Sequence, residues 1–286
     1  MEFEFNKGTG LLLIKCILSN LNGDPDLDND PRHRPSDLGD IGYASGVSFK
    51  RKLRDLLHLR GPIFDHLVKT MKLDPNRFNV AITEDKDIRK QAQEVRDGIY
   101  IDKYWDARVF GSTFLDKGEK GSKGTCLTST GVVQFGEAFS LAPIDIVRHT
   151  LTCKGQVEED KERAMAPFGF RVVEWGLYAM PFFVNPSMAA KTKCSKQDIE
   201  VLKALIPFAY EHTASMIRSQ CFLVKAWYVD HKTPLGNSSD KIVTALCPTR
   251  KPGFSGSAKS LDEFEIPEGL PKDLLEKVSS CKNLVA

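Results

Sequence analysis

Residues 10–19 read GLLLIKCILS, a nearly continuous apolar run that begins at Gly10 and is followed by Asn20. A run of this length with turn-forming residues at both ends favours a β-strand that is buried on both faces. We therefore predict that this segment is the first strand of the sheet. The residues that follow it should lie at one end of that strand.

An acidic turn is predicted directly after the first strand. Residues 22–30 read NGDPDLDND, in which Asn-Gly and Asp-Pro are common turn dipeptides. The alternating acids also suggest a calcium loop. Counting from Asp24, however, the sixth residue is Asn29 where Gly is needed, and the twelfth is Pro35 where Glu is needed. We interpret the segment as a turn whose acids form ion pairs with the arginines that follow.

A basic amphipathic helix is predicted from Ser45 to about Gly61. Apolar residues recur at positions 49, 53, 56 and 57, a spacing that places them on one helix face. Four cations fall within five residues of this helix: Lys50, Arg51, Lys52 and Arg54. We expect Lys50, Arg51 and Arg54 to lie on a different, solvent-facing side. Such a cluster is either a solvated helix face or a surface that binds nucleic-acid phosphates.

The composition limits the class of protein. The chain has 286 residues, of which 41% are hydrophobic, enough for a buried core. With 40 Lys and Arg against 38 Asp and Glu, any binding of polyanions depends on local charge clusters and not on the net charge of +2. The seven cysteines form no C-x-x-C pair, so no disulfide framework or zinc site is predicted. The N-terminal acids and the lack of a long apolar run predict a cytoplasmic protein.

The order of predicted elements indicates an α+β fold. Further strands are predicted at 102–114, 132–139, 144–152, 170–175, 176–184 and 221–229. A helix kinked at Pro207 is predicted to begin at Ser195, where Asp198 completes a capping box. The split βαβ plan of ferredoxin-like and RRM-like folds has this order of elements: strand, helix and strands, followed by strand, helix and strand. We predict one domain, 1–286, with a helical insertion at about 62–100, a mobile cationic loop at about 115–130, a long excursion at about 150–172, and a flexible C-terminal tail at about 248–286 whose last residues, 279–286, are frayed.

Several aromatic residues of the predicted strands and helix could stack on bases. They are Phe49, Tyr104, Trp105, Phe110, Phe135 and Trp175. Neither of the two aromatic signatures of RRM domains is present in its standard form. We therefore interpret most of these residues as core.

Catalysis finds no support in the sequence. The chain contains no nucleophile elbow, P-loop, dinucleotide fingerprint or H-E-x-x-H zinc motif, so we predict no enzyme activity, cofactor or metal. Two alternatives remain open. His149 or His212 could act as general base or acid in an RNA-processing endonuclease. The acids of the turn, Asp24, Asp26 and Asp28, could instead converge on a divalent metal that cleaves the target.

Seven short segments in a fixed order carry a resemblance to one family. They are NGDPD at 22–26, VSFKRKLR at 47–54, DARVFG at 106–111, GVVQF at 131–135, YAMPFFVNP at 178–186, FAYEH at 208–212 and PLGN at 234–237. Together they resemble the crRNA-binding backbone subunit of type I CRISPR Cascade complexes, most closely its type I-C branch. The similarity extends from Leu11 to about Arg250, and the ordered set is more specific than any single motif.

The resemblance implies a fold, a function and partners. The fold is an RRM-like palm with helical insertions and a protruding β-hairpin thumb, formed here by the excursion at about 150–172. The function is non-catalytic antiviral defence. Copies polymerise along guide crRNA, bind its phosphates and kink out nucleotides at intervals, leaving the others to pair with target DNA. The implied partners are crRNA, target DNA, further copies of the chain, the large and the processing or capping subunits of Cascade and, indirectly, a helicase-nuclease.

The same resemblance implies which residues contact RNA. The basic residues carried over as phosphate contacts are Arg32, Arg34, Lys50, Arg51, Lys52, Arg54 and Arg108. Met165, near the tip of the excursion, is the candidate for the wedge at the kinked nucleotide.

Overall fold

The computed structural model describes residues 5–84, 86–116, 124–154 and 165–285, which fold around a central antiparallel sheet. The strands of these ranges are β1 Gly8–Ser19, β2 Gly23–Asp24, β3 Asp30–Pro31, β4 His33–Arg34, β5 Ile41–Ala44, β6 Gly111–Asp116, β7 Thr125–Thr130, β8 Val133–Phe135, β9 Ala138–Ser140, β10 Ile146–Lys154, β11 Met165–Val184, β12 Cys221–His231, β13 Thr249–Arg250, β14 Phe264–Glu265 and β15 Val278–Asn283. The α-helices are α1 Gly46–His58, α2 Pro62–Met71, α3 Ile88–Arg96, α4 Tyr100–Lys103, α5 Trp105–Phe110, α6 Ala189–Thr192, α7 Lys196–Leu205, α8 Ser239–Leu246 and α9 Lys272–Leu275.

The strand order is that of a split βαβ fold. β1 pairs with β12 on one side and with β11 on the other, and β11 also pairs with β8 and β9, all antiparallel. In the chain, α1 lies between β1 and β8, and α7 lies between β11 and β12. Two units in which a helix connects two strands of the same antiparallel sheet make up the ferredoxin-like and RRM-like plan. The predicted α+β fold is therefore confirmed.

β1 lies at the centre of the sheet, as its apolar sequence predicts. Leu12 and Ile14 pack into one core cluster, whereas Leu11 and Leu13 pack into a second cluster. Because successive side chains of a strand point to opposite faces, both faces of the sheet are covered. One face packs against α1 and α7, and the other packs against α8 and the segment around Phe264.

The aromatic residues considered for base stacking belong to the core. All six are buried, with exposed fractions of 9% or less: Phe49, Tyr104, Trp105, Phe110, Phe135 and Trp175. On the second sheet face, Trp175 stacks on Phe264 with ring centroids 6.1 Å apart. The interpretation of these residues as core is confirmed, and the sheet offers none of the six to a base.

Two helices begin as their sequences predict. Ser45 caps α1 by accepting a hydrogen bond from the Ser48 amide, and the apolar residues at 49, 53, 56 and 57 are buried. Ser195 and Asp198 form the predicted capping box at the start of α7. Pro207 does not kink α7, because the α-helix ends at Leu205 and continues as a single 3₁₀ turn.

Further sequence predictions differ from the structure. Residues 102–110, predicted as β-prone, form parts of α4 and α5, and a strand begins only at Gly111. Residues 170–184 lie within one 20-residue strand, β11, instead of two strands. The predicted fraying after Ser279 is wrong over β15, because Val278–Asn283 pairs with β12 at the sheet edge.

The predicted excursion is a β-hairpin in the parts that are described. β10 pairs with the first half of β11, from Ile146 opposite Val173 to Lys154 opposite Met165. Residues 155–164 of the predicted thumb, and residues 117–123 of the predicted cationic loop, lie outside the described residues. Among the described helices, none is both long and apolar enough to span a bilayer.

Candidate nucleic-acid interface

The acidic turn and the basic helix meet at the end of β1. Asn22 Oδ1 accepts hydrogen bonds from the Ser45 amide at 2.9 Å and from Ser45 Oγ at 3.0 Å. Ser45 Oγ in turn accepts from the Ser48 amide at 3.2 Å. One asparagine of the turn therefore fixes the residue that starts α1.

The acids of the turn form ion pairs, as the sequence predicts. Arg32 Nη2 lies 3.6 Å from Asp24 Oδ1, and Arg32 Nε donates to the Gly23 carbonyl at 3.2 Å. Arg171 of β11 forms an ion pair with Asp30. Arg32 thus holds the turn together. Within the described ranges, no group of three or more His, Cys, Asp or Glu side chains is arranged to hold a metal ion.

Lys50 is a half-buried cation near the start of α1. Its Nζ donates to Gln134 Oε1 at 3.2 Å and lies 5.5 Å from the centre of the Phe110 ring. Burial, and secondly the charge of Arg54, lower the pKa of the Lys50 ammonium. Among the described residues it forms no ion pair with a carboxylate. The described residues therefore compensate its charge poorly.

Two further cations, Arg51 of α1 and Arg34 of β4, are exposed. Arg51 donates to Asp55 at 2.7 Å and to Glu84, whose side chain is 86% exposed, at 2.9 Å. The hydrogen bond to Asp55 is the main cause that raises the pKa of Arg51. Arg34 lies 3.8 Å from Glu137 and stacks over Tyr43 at 4.9 Å. Gln134 lies in β8 and Glu137 in the short connection from β8 to β9, so Lys50 and Arg34 contact residues three positions apart in the chain.

Arg54 does not face solvent, which corrects the helix-face prediction. It is 7% exposed, and its Nε donates to Asp106 Oδ2 at 2.9 Å. The guanidinium also covers Phe110 at 5.0 Å, and Asp106 additionally accepts from the Ala81 amide at 2.8 Å. The helix pattern placed Arg54 off the apolar stripe, but α5 packs over that side and supplies a buried carboxylate.

Arg108 is also buried, which corrects its assignment as a phosphate contact. It is 0% exposed and makes a two-pronged ion pair with Asp198, the capping residue of α7, at 2.7 to 3.2 Å. Its remaining donors bind the carbonyls of Ile101, Asp102 and Arg77. All hydrogen-bonding groups of the guanidinium serve the core, so no phosphate reaches it in this arrangement.

Lys52 is buried beside a cation that the sequence analysis missed. Its ammonium donates to Thr213 Oγ1 at 3.1 Å and lies over the Tyr210 ring. Burial, and secondly the charge of Arg218, lower the pKa of Lys52 to about 8. Arg218 lies in a 3₁₀ turn far along the chain, and nothing in its local sequence marks it as a partner of α1.

The remaining candidates lie elsewhere. Met165 is the first residue of β11, where its backbone pairs with Lys154 in the hairpin. The ring of His149 in β10 contacts that of Phe170 in a tilted arrangement at 5.8 Å, and His212 packs edge-on against Phe208 at 5.6 Å. In the described part of the chain neither histidine ring is hydrogen-bonded to an acid that would orient it for proton transfer.

Comparison with known proteins identifies the family. No curated protein sequence matches the chain. Two similar solved structures are a CRISPR RNA-guided surveillance complex in a pre-nicking state, with 14% identity, 78% coverage of each chain and a TM-score of 0.44, and a CRISPR RNA-guided surveillance complex, with 16% identity, coverage of 85% of this chain and 77% of that chain, and a TM-score of 0.41. The family of the CRISPR-associated protein Cas7 matches residues 6–267, most of the sequence. The chain therefore belongs to the Cas7 family.

Proposed function

We propose that this chain is a non-catalytic backbone subunit of a type I Cascade ribonucleoprotein that holds guide crRNA by its phosphates. The contact surface, which we name the α1 cationic surface, consists of Lys50 and Arg51 on α1 and Arg34 on β4. The observation that carries the proposal is Lys50, a desolvated ammonium without a carboxylate partner among the described residues. A phosphate next to it would supply the missing negative charge.

The ion pairs of the two arginines support the same surface. Glu84 is 86% exposed and Glu137 is 46% exposed, so both carboxylates lose little hydration when they pair. Exposed pairs of this kind contribute about 0 to 1 kcal/mol, because water and salt screen them. An RNA phosphate therefore competes for Arg51 and Arg34 at small cost. Arg51 and Arg34 would then exchange intramolecular carboxylates for the RNA backbone.

Binding through phosphates agrees with the coverage of the sheet. RRM domains read bases by stacking them on an exposed sheet face. Here α8 and the segment around Phe264 cover the face that α1 and α7 leave free. Guide RNA would accordingly lie at the end of β1 and over the start of α1, where the contacts available to it are cationic. Contacts to phosphates carry no sequence information, so one subunit would accept any guide sequence.

The assembly follows from the family and from the hairpin. We propose that copies stack head to tail along crRNA, since heterologous contacts that do not close generate filaments. The hairpin of β10 and β11 would be the thumb that reaches an adjacent copy, with Met165 as the candidate wedge at a kinked nucleotide. Nucleotides between the kinks would pair with target DNA. The large subunit, a processing or capping subunit and a recruited helicase-nuclease would complete the system.

Reversal of two charges tests the proposed surface. We expect Lys50→Glu combined with Arg51→Glu to weaken binding of single-stranded RNA at least about tenfold, because two phosphate contacts are lost and two repulsions gained. The slope of log affinity against log salt should fall by about 0.7 for each lost contact. Fluorescence anisotropy with a labelled RNA, repeated at several salt concentrations, measures both quantities. Arg54 is left unchanged because its buried pair with Asp106 holds the fold.

A matched control separates a local effect from the change in net charge. Lys69→Glu combined with Arg96→Glu alters two exposed cations on α2 and α3 and changes the net charge by the same amount. This variant should bind RNA nearly as tightly as the wild type, and both variants should keep the wild-type melting temperature. Equal RNA affinity of the Lys50 and Arg51 variant and the wild type would refute the proposed surface.

A further inference from the structure

A second cationic feature lies in an open groove beside α1. The groove runs between α1 and the 3₁₀ turns that follow α7, and its lining includes Lys52, Arg51, Thr213, Ser215 and Arg218. Arg51 belongs also to the α1 cationic surface, so the groove is continuous with that surface. A strand of RNA held at Arg51 would therefore pass the mouth of the groove.

Lys52 and Arg218 share this groove without carboxylate partners. Within the described ranges neither side chain forms an ion pair, in contrast to Arg54, two residues after Lys52 in α1. Thr213 Oγ1 accepts from Lys52 but gives its own proton to the Ala209 carbonyl at 2.6 Å. The only polar partner of the Lys52 ammonium among described residues is thus a neutral hydroxyl.

Arg218 contains a buried donor that is not satisfied. Its Nε is excluded from solvent and has no hydrogen-bond acceptor among the described residues. Buried donors are nearly always paired in folded proteins, so an unpaired one needs an explanation. The rest of the side chain is partly exposed and lines the groove, so a reorientation of the guanidinium would bring this donor to an acceptor oxygen of a ligand, best a negatively charged one.

The two cations also act on each other and on their surroundings. Arg218 lowers the pKa of Lys52, and both cations lower the pKa of Cys221, whose main shift comes from its hydrogen bond with Cys16. Asp55 is the nearby acid that favours the charged form of Lys52, but its Oδ1 is already bound to Arg51 at 2.7 Å. Asp55 is the one acid among the described residues that line the groove, so the charges of Lys52 and Arg218 are only partly offset within it.

We propose that Lys52 and Arg218 together hold one phosphate of the RNA backbone inside this groove. The inference rests on the proposed function and adds a site to the α1 cationic surface. The planar guanidinium presents several donors to the oxygens of a phosphate, and the ammonium presents a compact charge. The hydroxyl of Ser215 lines the same groove and is a further donor. Such a site fixes the path of the strand, because one phosphate must enter the groove while its neighbours stay on the surface.

Neutralising Arg218 tests the site. Arg218→Gln should weaken binding of single-stranded RNA about tenfold and lower the salt slope by about 0.7, the contribution of one phosphate. Arg96→Gln makes the same change at an exposed position on α3 and should leave both values at the wild-type level. Thermal melting of both variants checks the fold. If Arg218→Gln binds RNA like the wild type while the Lys50 and Arg51 variant does not, the groove site is wrong and the proposed function stands. If the wild type binds no RNA, both fail.

The pH dependence gives an independent readout. Because the pKa of Lys52 in the free protein is about 8, a bound phosphate must compete with deprotonation above that pH. RNA affinity should then fall about fivefold between pH 8 and pH 9, because the charged fraction of Lys52 falls by that factor. Lys52→Arg should remove this fall, since a guanidinium stays charged. Two other shifted titratable groups lie beside Lys52. Burial raises the pKa of Tyr210 well above this range. The pKa of Cys221 is lowered, so Cys221→Ser is the control and should retain the fall. An identical fall in Lys52→Arg and the wild type would exclude Lys52 as a phosphate ligand.

Discussion

Replacing Arg108 by methionine is expected to lower the free energy of unfolding by about 3 to 5 kcal/mol, the usual effect of removing one partner of a buried ion pair. Methionine fills a similar length of side chain, so little cavity forms. It leaves the Asp198 carboxylate at 1% exposure without its counter-charge, and it leaves three backbone carbonyls without their donor. Urea unfolding followed by circular dichroism measures the difference.

Two further variants assign this effect to burial. Arg51→Met makes the same substitution at an exposed arginine and should change the free energy of unfolding by about 0.5 kcal/mol or less. Adding Asp198→Asn to Arg108→Met removes the stranded charge while the amide oxygen can still cap α7, so part of the loss should return. A loss below about 1 kcal/mol in Arg108→Met would contradict the structural role of this pair.

The elements that were predicted well carry their information locally. β1 is an uninterrupted apolar run, and α1 has an apolar stripe, a capping serine and a Gly-Pro stop within 18 residues of sequence. α7 has both halves of its capping box three residues apart. Periodicity and caps act over a few residues, so a single sequence shows them.

The errors concern residues whose partners are distant in sequence. Residues 105–110 contain β-prone aromatic residues, and isolated helices as short as α5 are not stable by themselves. α5 exists because Asp106 pairs with Arg54, 52 positions away, and Arg108 pairs with Asp198, 90 positions away. The same pairs explain why two cations were assigned to phosphates. The sequence shows that a residue is charged but not whether a buried acid already neutralises it.

The residues of the candidate site also differ in whether their placement depends on local sequence or on distant partners. Lys50 and Arg51 could be placed near the helix start from spacing alone, and the contact of the acidic turn with that helix followed from the order of the elements. Arg218 could not, because it comes to α1 only when α7 and β12 bring their connection back to the end of the sheet. A lone arginine between Met216-Ile217 and Ser219-Gln220 gives no local signal.

The second large effect is expected at acidic pH and comes from His231, which is 0% exposed. Its Nδ1 accepts from the Asn237 amide at 2.9 Å, so the ring proton is on Nε2, which is bonded to Thr9 Oγ1 at 2.9 Å. Thr9 is bonded in turn to Ser239 at 2.9 Å. Protonation of Nδ1 would turn it into a donor facing the Asn237 amide, which is also a donor, so this hydrogen bond would be lost. Burial, and secondly Lys7, lower the pKa of His231 to about 4 from an ordinary value of 6.5.

The direction of the pH effect follows from this lowered pKa. Between pH 4 and pH 6.5 the unfolded chain binds a proton at His231 that the folded chain does not. The contribution of the neutral ring to the free energy of unfolding is therefore complete above pH 6.5 and is lost as the pH falls towards 4. Titration of His231 should lower the free energy of unfolding by about 2 kcal/mol between pH 7 and pH 5. Other groups also titrate there, so the wild type must be compared with variants.

His231→Asn isolates that contribution, because its side-chain oxygen can still accept from the Asn237 amide but does not titrate. The variant should have a lower free energy of unfolding than the wild type at pH 7. On acidification to pH 5, however, that free energy should fall by about 2 kcal/mol less than it does in the wild type. His66→Asn on α2 removes an exposed ring that contacts water in both states, so its acid loss should equal that of the wild type. Equal acid losses in all three proteins would mean that the His231 ring accepts a proton in the folded state. Its contact with the Asn237 amide would then have to open on protonation, and the turn between β12 and α8 would have to move with it.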